Sequence, residues 1–406
     1  MLEKTYEVTN PILLIVFKRI NTTKKVFEEI KKVKPSKLYI SSDGSRDNNP
    51  TEQEQVNEIR DFIIKDIDWE CKVETLFNEK NFGCQKAVSN AITWFFKNEE
   101  QGIILEDDIL PSIDFFRYCD ELLEKYKNNE RIMHIAGMTY VEGDENKSSY
   151  NFCRTGGIWG WASWRRAWNL YELEMETFPK AMEENILDDL FFGEESIKEF
   201  YINMFKKAYK NTHTWDYQWT YTKIINNSIN IMPSKNLVKN IGFGEGATHT
   251  TKANKKYQEM TISNLKFPLL HPKFIVINKK FDHNNFNFHF SKLTVEELKS
   301  LMIKITQIEE KLKSNNLDLY IYGAGQYGNL ILKYSNFIKE RVLGFIDRDN
   351  NKVGTSIYEK RIYKLDEIVN NKNVIIILTV VKDNISIENE LSLYFQDSTI
   401  LNINKM

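Results

Sequence analysis

Residues 101–110 of this 406-residue chain read QGIILEDDIL, so an apolar run from Ile103 to Leu105 ends in three adjacent carboxylates, Glu106, Asp107 and Asp108. Like charges side by side repel, and burial raises their pKa values. A strand that ends this way needs a compensating positive charge. A divalent cation is the obvious candidate, because hard cations take oxygen ligands; a solvated turn is the plain alternative. Asp216 lies among aromatic residues in HTWDYQWTY. An apolar surround raises a carboxylate's pKa and tunes it to take a proton as a general base; otherwise it is a solvated acid at a helix start. Gly157, Trp159, Gly160 and Trp161 occupy TGGIWGW. Tryptophan faces stack on sugars and glycines permit close approach, although the same residues also suit a packed core corner. Further on, Gly323, Gly325 and Gly328 form a GxGxxG run, with Asp347 19 residues after Gly328. That spacing is a dinucleotide fingerprint where a strand precedes and a helix follows.

These groups need elements to hold them. The first hundred residues alternate: strand Pro11–Phe17, helix Asn21–Val33 with Asn21 or Thr22 as cap, strand Lys37–Ile40, helix Thr51–Ile64, strand Val73–Phe77, helix Gln85–Phe96 and strand Gly102–Leu105. Strand–helix alternation argues for a parallel α/β sheet. Ligands of open α/β sheets sit beyond the carboxyl ends of the strands, where Asp43 and the acidic triplet both fall. A second α/β pattern follows residue 316: strand Leu317–Tyr322, helix Asn329–Ile338, strand Val342–Ile346 and strand Val374–Thr379. Between them a helix runs from Thr294 to about Lys313, with Thr294 and Glu297 as a capping box. Its seam Leu298, Leu301, Ile305, Ile308 and Leu312 is heptad-spaced. Packing onto a neighbouring domain is the expected use, a homodimeric coil the other.

Composition narrows the classes. With 55 basic and 57 acidic residues the net charge is −2, which argues against a nucleic-acid partner. Apolar residues make up 42%, enough for ordinary cores. Cys71, Cys84, Cys119 and Cys153 show no zinc or disulfide spacing and fit reduced thiols in a cytosol. The amino-terminal MLEKTYEVTNP does not read as a signal peptide. No apolar run approaches the roughly 20 residues of a membrane span.

The motifs occur in a telling order: LLIVFKR, YISSDGSRD, NEKNFGCQKAVSNAITWFF, GIILEDDILPSIDFF, YNFCRTGGIWGWASWRRAW, HTWDYQWTY and IGFGEGATHT. Together they resemble nucleotide-sugar-dependent glycosyltransferases of the GT-A fold, in particular the N-acetylglucosaminyltransferase I family and its bacterial relatives. The resemblance covers about residues 9–285. It implies that Asp108 ligates the metal, that Asp107 accepts a ribose hydroxyl, and that Glu106 faces the transferred sugar. It also implies that His249, otherwise an ordinary lone histidine, completes the metal site. Asp43 and Arg19 match contacts to the base, ribose and phosphates, and Asn81 and Lys86 fall where the family lines its nucleotide pocket. The family places its base in a Trp-Asp-Asp-Trp run; here the run is Trp-Asp-Tyr-Gln-Trp, one residue longer. Around VLGFIDRDNNKVG the last 90 residues resemble the nucleotide-binding-like subdomain of bacterial sugar N-acetyltransferases.

The expectation is an α/β protein: a GT-A mixed sheet with helices on both faces over 1–285, a connecting helix over 286–315, and a small Rossmann-like accessory domain over 316–406. The expected activity is Mn²⁺- or Mg²⁺-dependent, inverting transfer from a nucleotide sugar, UDP-linked by preference, to a hydroxyl of a glycan or lipid-linked glycan in bacterial surface polysaccharide synthesis. The expected location is cytoplasmic, at most peripheral to the inner membrane. One alternative is a nucleotidyltransferase acting on sugar phosphates, although FKRINTTKK lacks the glycine-rich loop such an enzyme needs after its first strand. The other is a non-catalytic carbohydrate-binding or scaffold protein.

Overall fold

The computed structural model describes residues 6–190, 195–210, 213–243, 257, 259–290, 295–380, 384–396 and 399–405. The chain divides into two compact units, Met1–Lys292 and Leu293–Met406.

The first unit opens with the expected alternation: β1 (Ile12–Val16), α1 (Ile20–Val33), β2 (Lys37–Ser42), α2 (Pro50–Asp66), β3 (Lys72–Phe77), α3 (Gly83–Asn98) and β4 (Gln101–Glu106). Then come β5 (Ile109–Pro111), α4 (Ile113–Tyr126), β6 (Ile132–Ala136), β7 (Tyr150–Cys153), β8 (Trp161–Trp164) and the short α5 (Arg165–Trp168). The helices α6 (Phe178–Glu183), α7 (Ile186–Leu190), α8 (Glu195–Lys210) and α9 (Asp216–Ile225) follow, before β9 (Ile229–Pro233), β10 (Val238–Asn240) and α10 (Lys279–Phe290). Eight strands form one sheet in the order β3-β2-β1-β4-β8-β6-β9-β7. Its first four strands are parallel, as the alternation requires. Past β4 the sheet becomes mixed: β8 lies antiparallel to both β4 and β6, and β7 antiparallel to β9.

All five residues of β1 are buried because both its faces are covered. Side chains alternate across a strand. Ile12, Leu14 and Val16 accordingly join Val26, Phe27 and Ile30 of α1, Ile59 and Ile63 of α2, and Phe115 of α4 in one core. Leu13 and Ile15 join Val88, Ile92 and Phe95 of α3, with Trp161, Trp168, Trp215 and Trp219, in the other. Local chemistry sets the helix ends. Asn49 accepts a hydrogen bond from Glu52 N (3.1 Å) ahead of Pro50, and Ser112 accepts one from Phe115 N (3.2 Å). α1 differs from expectation, since neither Asn21 nor Thr22 caps it; Arg19 stands at its N-cap, and its side chain makes no capping bond.

The second unit contains α11 (Val295–Lys313), β11 (Asp318–Tyr322), α12 (Gln326–Tyr334), α13 (Asn336–Arg341), β12 (Val342–Ile346), β13 (Ser356–Ile357), β14 (Lys360–Tyr363), β15 (Val374–Leu378), α14 (Asn384–Ser392) and β16 (Ile400–Asn402). Its sheet order is β13-β14-β12-β11-β15-β16, parallel except for the β13–β14 hairpin. On α11, Leu301, Ile305, Ile308 and Leu312 pack in one core with Leu319, Ile321, Ile331 and Phe345 of this unit. Thr294, the expected cap, lies outside the described residues. The single helix expected over 329–338 is two. Ser335 ends α12 and caps α13 by accepting from Ile338 N (2.9 Å), while its hydroxyl donates to Glu309 (2.5 Å).

Candidate active site

The order β3-β2-β1-β4 reverses direction between β1 and β4, and such a reversal opens a crevice at the carboxyl ends of the strands. Glu106 lies opposite Ile15 in the parallel ladder, so the acidic triplet leaves β4 at that crevice. Arg19 leaves β1 at the same place. Its guanidinium forks, Nη1 donating to Asp108 Oδ2 at 2.9 Å and Nη2 to Asp107 Oδ1. Asp107 is 2% exposed and also accepts from Phe17 N at 3.3 Å. Among the described residues, an arginine thus supplies the positive charge that three carboxylates require. It does so incompletely. Burial, then Asp108 and Asp107, push Glu106 up to about 8. Burial also lifts Asp107 to about 6 against the pull of Arg19. Burial works against the charge of Arg19, but the two aspartates outweigh it and raise its pKa.

The glycine-rich stretch after β10 begins directly on Asp108. Ile241 N donates to Asp108 O (2.8 Å), and a Cβ on Gly242 would collide with the Asp108 carboxylate and the Arg19 guanidinium. Any larger residue there would displace the Asp108–Arg19 pair. His249 lies outside the described residues. Among the described residues, no three His, Cys, Asp or Glu side chains converge as metal ligands. Asp108, with 14% of its side chain exposed against 3% for Asp107, could offer an oxygen to a cation at this strand end.

Asp43 lies at the end of β2, as expected, but its oxygens serve the backbone: they accept from Phe82 N and Gly83 N (3.1 Å each) and from Asn78 Nδ2 (3.1 Å). Asn81 donates to Gly44 O (2.7 Å), and Lys86 is exposed on α3. Sequence reasoning missed Arg60, which ties the ends of β2 and β3 by donating to Ser42 O, Asp43 O and Asn78 O over the Phe77 ring. Nothing in its helical context marks it.

Asp216 opens α9 and faces a cavity of about 170 Å³ shared with Gly156, Gly157, Trp159, Tyr217, Thr220 and Asn285. Its charge also reaches Glu106, so the acidic strand end and the cavity are electrostatic neighbours. Gly160 adopts a left-handed backbone (φ +57°) and accepts from Gly137 N (2.7 Å), which turns the chain into β8. Trp161 is core: it is 1% exposed, with rings of His134 (5.1 Å) and Trp215 (5.9 Å) stacked on it. No ring face is left for a sugar. The cavity-lining tryptophan is Trp159, whose indole contacts Tyr140, Phe243 and Tyr257. α10 closes the far side. Asn285 accepts from Tyr140 N (2.7 Å) and Thr139 Oγ1 (2.9 Å), and Asp282 from Arg154 N (2.9 Å) and Thr155 N (3.1 Å). Neither residue carried a sequence signal.

In the second unit, Gly323 has φ +108° and a Cβ on Gly328 would collide with Gly323 O, so both glycines serve the strand–helix turn. A Cβ on Gly325 would meet nothing. Asp347, at the end of β12, accepts from Ala324 N (2.9 Å) and pairs with Lys352 (3.2 Å).

No protein-family model matches the chain, and no curated protein matches it. Among solved structures, HddC from Yersinia pseudotuberculosis aligns over 39% of this chain and 78% of its own, at 10% identity and a TM-score of 0.25. UDP-glucose pyrophosphorylase complexed with UDP-glucose aligns over 40% and 79%, at 12% identity and a TM-score of 0.24. Likenesses this distant carry no argument about function. No helix among the described residues is long and apolar enough to cross a membrane.

Proposed function

We propose that the first unit is a glycosyltransferase of the GT-A type, which transfers a sugar from a nucleoside diphosphate sugar to a glycan hydroxyl. The observation that carries this reading is the position of Asp216: it lines a cavity and its charge reaches Glu106 at the acidic strand end. In this reading the nucleotide occupies the β1–β4 crevice. A divalent cation held by Asp108, with His249 where the resemblance puts it, would offset charge on the diphosphate as it leaves. The acceptor sits in the cavity. Its hydroxyl gives its proton to Asp216, its oxygen bonds to the anomeric carbon, and the carbon–phosphate-oxygen bond breaks with its electron pair leaving on the nucleotide. Attack from the side opposite the leaving group inverts the anomeric centre.

A nucleotidyltransferase is the second reading, favoured by two cations, Lys18 and Arg19, directly after β1. Both are already paired, Lys18 with Glu52 (2.7 Å) and Arg19 with the aspartates. A sugar phosphate, moreover, is an anionic nucleophile that needs no base and is repelled by Asp216. Assays of nucleoside diphosphate release from nucleotide sugars, and of pyrophosphate release from nucleoside triphosphates with sugar 1-phosphates, separate the two. The expected outcome is diphosphate release that needs Mn²⁺ or Mg²⁺ and falls roughly 10²-fold or more in Asp216→Asn. Pyrophosphate release alone establishes the second reading.

A further inference from the structure

α9 carries a second ionisable group that the proposed reaction does not use. Lys223 is 1% exposed, and lysine is almost never buried without a partner. Its ammonium donates to Gly156 O (3.2 Å) and lies 5.8 Å from the Trp219 ring centroid. Gly156 and Gly157 form one wall of the cavity, and Asp216 another part of its lining. Lys223 therefore stands behind the wall that the base faces. Seven residues along a helix is about two turns, so Asp216 and Lys223 lie on one face, with Thr220 between them. Helical side chains lean toward the amino terminus, which brings the long lysine back toward Asp216.

We propose that Lys223 is a positioning residue for Asp216: a buried ammonium, fixed on the Gly156 carbonyl, that keeps the carboxylate charged and holds the wall opposite it. The proposal rests on Asp216 being the base. The surroundings fit this role. Asp216 is the acid whose charge acts on Lys223. Among the described residues, His134 of β6 is the other titratable group that feels Lys223, fully buried and held neutral by burial and by Lys223 itself; its Nε2 is 2.9 Å from Gly157 O and its Nδ1 accepts from Trp219 Nε1 at 3.3 Å. Asp216 itself faces Glu106, Tyr171 and Tyr217 as well. Asp282 of α10 accepts from the Arg154 backbone N–H, and the Arg154 guanidinium donates to Asn227 Oδ1 (2.7 Å), just past the end of α9. Burial brings Lys223 down to about 7, so it carries charge on the acidic side of neutrality, where a carboxylate base is lost by taking up a proton. There the ammonium lowers the pKa of Asp216 and extends its working range to lower pH.

Two measurements on the full chain test this. In the first, lysine side chains are isotope-labelled and Lys223 is titrated by NMR in the wild type and in Asp216→Asn. The expected result is a Lys223 midpoint lower by about one pH unit in the variant, because a neighbouring anion favours the ammonium; an unmoved midpoint overturns the proposal. In the second, the kcat/KM–pH profile of Lys223→Met is compared with wild type. The acidic limb should move to higher pH while donor KM stays unchanged. A uniform drop with an unmoved limb overturns the proposal and leaves Lys223 a packing residue. The NMR titration needs no activity and does not depend on Lys223→Met folding. A shifted midpoint in a protein that transfers no sugar refutes the glycosyltransferase reading and preserves the coupling, whereas sugar transfer with an unmoved midpoint does the reverse.

Discussion

At the scale of residues, the acidic triplet shows how a charge problem is solved and what remains of it. Asp107 and Asp108 share Arg19, while among the described residues Glu106 pairs with no cation and is kept protonated by burial and by its neighbours. This has a consequence for stability. The unfolded glutamate titrates near 4.5 and the folded one at about 8. Between those values the unfolded chain has released a proton that the folded chain keeps, so stability falls as pH rises through the window. Below 4.5 both states are protonated and the effect vanishes. Glu106→Gln has no such proton. It should therefore gain on wild type as pH rises from 5 to 8.5, by roughly 4 kcal/mol. Urea unfolding followed by tryptophan fluorescence measures this; a gap that stays constant with pH would mean that Glu106 ionises like an exposed glutamate. The clustering of three acids at a strand end was legible in the sequence. Their partner was not, because Arg19 and Asp108 are far apart in the chain and only the β1–β4 register brings them together.

At the scale of elements, the wall of the cavity depends on a helix that sequence reasoning did not find. α10 sits in a run of Lys, Asn and Phe without amphipathic periodicity, so the pattern that revealed α1 and α2 is absent. Beside its buried phenylalanines, polar bonds fix it in place. Asp282 accepts from Arg154 N, Thr155 N and Thr155 Oγ1 (2.5 Å), just ahead of Gly156 and Gly157. Asp282→Ala would leave these half-buried donors without their acceptor, at a cost of about 1–3 kcal/mol. Asp282→Asn keeps an acceptor and should lose less. Amide hydrogen exchange at Arg154 and Thr155 should quicken in the order wild type, Asn, Ala. Equal protection in all three would show that the strand β7, rather than α10, fixes the wall. The same contrast explains which parts of the sheet were readable. β1, β2 and β4 are apolar runs between helices of clear period. β6 to β10 are three to five residues long, and their pairing rests on contacts distant in sequence, such as Trp161 opposite Ile104.

At the scale of the whole molecule, each unit holds its own sheet and core, and this makes the first unit separable at the correct boundary. All eight tryptophans lie between Trp69 and Trp219, so tryptophan fluorescence reports the first unit alone. An end near residue 282 or 285 cuts through α10. That helix buries Phe281, Phe286 and Phe288 to 7% exposure or less and supplies Asn285 to the cavity. Three buried phenylalanines contribute about 5 kcal/mol or more, against a typical domain stability of roughly 5–15 kcal/mol. A chain ending at Lys292 keeps all of them. It should unfold in urea at the midpoint of the full-length protein and retain any nucleotide-sugar binding. A chain ending at Asn278 keeps Arg19, the triplet and Asp216, yet should unfold at a clearly lower midpoint or aggregate, since the face that α10 covered becomes exposed apolar surface. Equal midpoints for the two truncated chains would make α10 peripheral. A midpoint for the chain ending at Lys292 below that of the full-length protein would show that the second unit stabilises the first, and then Gly323, Gly325, Gly328 and Asp347 would need testing by titration with NAD and nucleotide sugars in the full-length protein only.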